Sequence, residues 1–158
     1  MEPDPRFLNP KPETRNPEPD INSMHLPDEK TAELFGLLDR LGEFETEELL
    51  GHFTSDNIEA IRQVSWVLKE GMNLERVLSE NRFVKVVQEL YETKLIWAER
   101  LEVTLTSAAS EMHQGNRVQA LWILNGFIRF CPSPYFREIA EEVMEEYEEG
   151  QESGNRSQ

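Results

Sequence analysis

A chain of 158 residues with 38% hydrophobic content can close one ordinary core, and about 120 residues remain to build it once a proline-rich first segment is set aside. The 31 acids against 16 bases leave a formal charge of −15, which repels phosphate backbones and anionic membranes and argues against nucleic acid as a partner. A single cysteine excludes an internal disulfide; with no signal-peptide pattern and no long apolar run, the expectation is a soluble, cytoplasmic protein.

Residues 1–27 hold seven of the nine prolines, with Pro3/Pro5, Pro10/Pro12 and Pro17/Pro19 repeating a Pro-x-Pro unit every seven residues. Proline removes amide donors and fixes φ, so the expectation here is a disordered, extended tail outside any helix bundle. The paired prolines sit two apart, which does not match the Pro-x-x-Pro spacing of aromatic-groove ligands. Met24 stands as an alternative start.

From Asp28 the apolar period is 3.6. Leu34, Leu37, Leu38 and Leu41 stripe a first helix between Asp28 and Gly42, and Glu45 to Leu50 predicts a short second one capped by Thr46. Asp56 and Glu59 form a capping pattern for a third helix that carries Ile58, Ile61, Val64, Val67 and Leu68 to Gly71. Asn73 predicts a short fourth helix through Leu78. The longest run starts at Asn81 or Arg82, passes Phe83, Val86, Val87, Leu90, Ile96, Trp97, Leu101 and Leu105, and reaches about His113. A helix that long either braces several neighbours or breaks near Thr104–Ser107. Asn116 caps a sixth helix closed by Pro132; Ser133-Pro134 opens a seventh that frays after Gly150. No strand is predicted.

Chemistry-bearing residues do not converge. His25, His52 and His113 are scattered and Cys131 stands alone, so no metal site is expected. The glycines are isolated, which leaves no phosphate cradle, and no nucleophile has a base nearby. The reading is therefore a chain without catalytic, cofactor-binding or metal-ligating residues.

Charge is segregated instead. Residues 28–50 carry eight acids and two bases, residues 138–158 eight acids and one base, and residues 51–137 ten of each. Glu141/Glu145 and Glu142/Glu146 set like charges at i, i+4 toward the negative end of the last helix, an arrangement that a basic partner surface would relieve and that a solvated terminus also tolerates. Arg62, Lys69 and Arg76, seven apart, form either a modest basic ridge or simply the wet face of the third helix.

Two stretches carry resemblances. Phe53, Thr54, Asp56, Ile58, Ile61, Val64, Leu68, Glu70, Gly71, Met72, Asn73, Leu74 and Leu78 make residues 53–78 similar to the second half of the DNA-binding domain of the mercury-resistance-regulator (MerR-like) family. That resemblance implies two helices hinged at Gly71, although the segment before it, GEFETEELLGH, is acidic where the family carries its base-reading helix. Relatives of that module that bind proteins, such as modulators of co-chaperones, are the closer functional analogy. Ala108, Gly115, Ala120, Leu124 and Pro132 make residues 101–134 resemble one tetratricopeptide unit, with Glu111 and Phe127 departing from its pattern.

The sequence thus predicts a single all-α domain over residues 28–149, of six to seven helices, between disordered ends at 1–27 and 150–158. The expected function is that of a non-enzymatic interaction module, an adaptor, chaperone-like modulator or regulatory subunit. Its expected partner is a protein, a basic surface being one candidate. Candidate contact residues are Trp66, Tyr91, Trp97, Trp122 and Tyr135, because aromatics dominate interface energetics, together with Glu141, Glu142, Glu145 and Glu146. A homodimer through the long helix 82–113 is a further expectation. The alternatives are a transcription regulator that uses the Gly71-hinged pair on DNA, and an acidic inhibitor that mimics nucleic acid.

Overall fold

The structure is a computed structural model that describes the backbone of residues 28–156 and the side chains of residues 28–150. The Pro-x-Pro segment lies outside the described residues. Six helices and no strand occur among those described: α1 (Asp28–Gly42), α2 (Thr46–Leu50), α3 (Ser55–Leu68), α4 (Glu80–His113), α5 (Arg117–Phe130) and α6 (Pro134–Arg156). The all-α expectation is met.

α4 is the organising element. Its 34 residues run unbroken for about 50 Å at the usual helical rise, and it touches each of the other five helices. Its N-terminal half buries Phe83, Val84, Val86, Val87 and Leu90 against α1, α2 and α3, while Leu101 and Ala108 in its C-terminal half face α5 and α6. The long helix therefore braces rather than breaks: the Thr104–Ser107 hydroxyls leave its ladder intact.

Chain ends of the helices follow local chemistry. Thr54, extended at φ −125°, accepts a hydrogen bond from the Asn57 amide at 3.2 Å, so it caps α3 two residues before the predicted Asp56. Ser79 caps α4 in the same way through the Arg82 amide at 3.1 Å. Glu45, not Thr46, occupies the cap of α2 and makes no side-chain bond there. Asn116 precedes α5 as predicted, but its side chain donates to Glu111 Oε2 at 2.9 Å instead of capping. α6 continues to Arg156, past Gly150.

The predicted fourth helix is absent: residues 72–75 and 78–79 have no regular structure, and a bend lies between them. A six-residue helix is costly to nucleate, and Arg62 on α3 supplies the competing partner. Its Nη2 donates to the carbonyls of Glu75 and Arg76 at 3.1 and 3.0 Å, while Arg82 pairs with the Glu75 carboxylate at 3.2 Å. With Leu78 buried and Met72 and Leu74 packed on the core, the segment is an extended strap. Gly71, at φ +85°, starts it from a backbone conformation that residues with a Cβ rarely adopt.

α1 is clamped to α4 by close approach and charge. The Tyr91 ring lies on the Cα of Gly42, where a Cβ would overlap ring carbons, and Lys94 Nζ reaches both Asp39 carboxylate oxygens at 2.7 and 2.8 Å. Gly42→Ala is expected to lower stability by about 1–3 kcal/mol through overpacking, measured by thermal denaturation. Gly36→Ala is the control, because the nearest atom to its added Cβ is Arg40 Nη1 at 3.7 Å.

Candidate docking face on the α4–α5 hairpin

α5 is apolar on nearly every side: RVQALWILNGFIRF. Ala120, Leu124 and Phe127 turn inward, with Cys131 just beyond, and antiparallel packing on α4 follows from the tight turn between them. Gly115, at φ +84°, allows the Asn116 amide to donate back to the Glu111 carbonyl at 2.8 Å. Arg117 then ties the start of α5 to α6, its Nε donating to the Tyr147 carbonyl at 3.1 Å.

The opposite row of α5 has no cover among the described residues. Val118, Trp122 and Phe130 are 81%, 69% and 75% exposed, and Gly126 falls between the two aromatics at the same four-residue spacing. Beside this row, α4 contributes Val103, 61% exposed, and a groove of ≈ 660 Å³ opens between Val103, Arg100, Gly126 and Phe130, with Trp97 and Phe127 also lining it. Trp97 and Phe127 meet edge to face at 5.7 Å, and the Arg100 guanidinium sits 4.6 Å from the Trp97 ring centre. Scattered exposed apolar residues are ordinary; this row is contiguous along one face of α5, which makes it the candidate docking face.

The other candidate residues lie elsewhere. Trp66 is half-buried on α3. Tyr91 is spent on Gly42, and Tyr135 packs edge to face on Phe35 at 5.1 Å. Glu141, Glu142, Glu145 and Glu146 are all exposed on α6. Of the five aromatics proposed from sequence, Trp97 and Trp122 lie at this face, Trp122 alone being mostly exposed; Val103, Val118, Gly126 and Phe130 were not anticipated. The signal for Val118, Gly126 and Phe130 was available as a second i, i+4 row on α5.

Among the described residues, no three or more His, Cys, Asp or Glu side chains gather as a metal site, and no helix is long and apolar enough to cross a membrane. His52 stacks on Phe44 at 4.5 Å. Burial pushes the Cys131 thiol up, with the Ser133 backbone and Arg137 pulling the other way; an activated nucleophile requires the reverse. Glu75 is held below its ordinary value by a hydrogen bond from its own amide and then by Arg82, a role confined to the strap.

No family model matches the chain, and neither the curated proteins nor the solved structures provide a match.

Proposed function

We propose that this chain is a non-enzymatic protein–protein interaction module whose docking face is the outer surface of the α4–α5 hairpin. The observation that carries the reading is the row of Trp122 and Phe130, 69% and 75% exposed, on a helix whose opposite row is fully packed. Large aromatics left in water on a rigid hairpin are the usual anchors of an interface, and Arg100 and Arg129, over Trp97 and Phe130 at 4.6 and 6.0 Å, supply polar edges. The acidic row Glu141, Glu142, Glu145 and Glu146 on α6 adds a negative field that favours encounter with basic surfaces.

The DNA-binding alternative receives less support because two of the three bases of its ridge are already engaged: Arg62 holds the strap carbonyls and Lys69 pairs with Glu89 at 2.7 Å. The nucleic-acid-mimic alternative keeps one favouring observation, the exposed α6 glutamates.

A photo-crosslinking residue at position 122 tests the docking face, with position 63 on α3 as the comparison. Protein adducts are expected at 122, absent at 63, and lost when Phe130→Asp is added. Equal adducts at both positions, or adducts at 122 that survive Phe130→Asp, would remove the face as a specific site.

A further inference from the structure

We infer that the occupant of this face is a second copy of the chain, with α5 crossing α5 of the other protomer at Gly126 about a two-fold axis. The inference rests on the docking-face reading and deepens it by naming the partner. Three independent features of the fold lead there.

The row is self-complementary. Val118, Trp122, Gly126 and Phe130 lie on one i±4 ridge, and two such ridges interlock at a crossing angle of about −50°, the commonest helix-packing class. An antiparallel two-fold crossing at Gly126 sets the Trp122 of each protomer opposite the Phe130 of the other, because each lies four residues from the crossing point. A two-fold interface requires this kind of matching of one patch to itself.

Among the described residues, nothing packs against Gly126 closely enough to require glycine. A Cβ built there meets nothing within 4 Å and the backbone is ordinary helix, so neither packing nor a positive φ asks for glycine. Glycine inside a helix is less stable than alanine there. Its position at the centre of an exposed aromatic row fits close approach of a second helix from outside.

Charge leaves this face available to a second copy. Two chains of −15 each repel, and α1, α2 and α6 carry most of the excess acid. α5 contains no acidic residue and has Arg117 and Arg129. Like chains can therefore meet at α5 with the least repulsion. Aromatic side chains bury about 150–250 Å² each, so Trp122 and Phe130 with the flanking valines bring a large part of the roughly 800 Å² per partner that a standard interface removes.

The test uses the full chain in sedimentation across a concentration series, with Gly126→Leu, Gly126→Ala and Trp122→Asp. A reversible dimer is expected for the unaltered chain. Gly126→Leu and Trp122→Asp are each expected to weaken it by at least about tenfold, with helical content unchanged. Gly126→Ala is the sharper variant: it is expected to raise the melting temperature of the dilute monomer while weakening the dimer. Crosslinks from position 122 in a mixture of isotopically heavy and light chains are expected to join one chain to the other near residue 130. A chain that stays monomeric overturns the self-pairing, as does a dimer unaffected by Gly126→Leu and Trp122→Asp. If the monomeric chain still crosslinks at 122 to a different protein, the docking face stands and only the second copy falls; if 122 captures nothing, both fall.

Discussion

Phe83→Ala is expected to lower the unfolding free energy by about 3–5 kcal/mol, the range for truncating a buried aromatic. Phe83 is 0% exposed and its ring meets that of Phe53 edge to face at 5.4 Å. It stands in the first turn of α4, at the place where α3, the loop before it and the long helix converge. A domain of this size holds roughly 5–15 kcal/mol in total, so the loss is a large fraction of the whole. Urea denaturation monitored by circular dichroism gives the measurement: the midpoint should fall sharply with the slope unchanged. Val77→Ala, at a strap position 83% exposed, should leave the midpoint where it was. A Phe83 variant as stable as the unaltered chain would show that the convergence of α3 and α4 is not the centre of the core.

Ser133→Ala is expected to cost about 2–4 kcal/mol, because it removes a helix cap and strands a buried acceptor at once. The hydroxyl, 0% exposed, donates to the Val67 carbonyl at 2.6 Å and accepts from the Phe136 amide at 3.2 Å. It therefore ties the last turn of α3 to the first turn of α6 across 66 residues of chain. The Glu70 amide repeats the tie through the Pro132 carbonyl at 2.7 Å, and Arg137 reaches Glu70 at 2.7 Å. Arg137→Ala decides between hydroxyl and ion pair: its side chain and that of Glu70 are 26% and 46% exposed, and a pair so open to water contributes about 0–1 kcal/mol. If Arg137→Ala proves the more damaging of the two in denaturant midpoints, the junction is held by charge and the account given to Ser133 fails.

The Ser133 site bears on the proposed docking face. α6 packs against α5 and α3, so the Ser133 junction fixes the angle at which α5 leaves the body of the fold and thus which of its rows faces water. A Ser133→Ala protein that remains folded is expected to expose Cys131 to thiol reagents, since that buried thiol lies at the same turn.

The residues themselves determined the number and type of most helices. Apolar spacing at 3.6, Ser133-Pro134, Gly115 and Pro132 are local signals, and each acts within one turn of the place it marks. The strap escaped because its cause is not local: Arg62 is 13 and 14 residues from the carbonyls it takes, and no spacing rule sees a side chain competing for backbone groups at that distance. The docking face escaped for a related reason. α5 is apolar on both rows, so composition says only that it is in demand from two sides; which row is core depends on where α4 and α6 approach it. Sequence alone therefore settled most of what would be helical and how acidic the surface would be. Only the packing decided that Ala120, Leu124 and Phe127 go inward, leaving Trp122, Gly126 and Phe130 outside, because burial is a property of the assembled helices and not of any one of them.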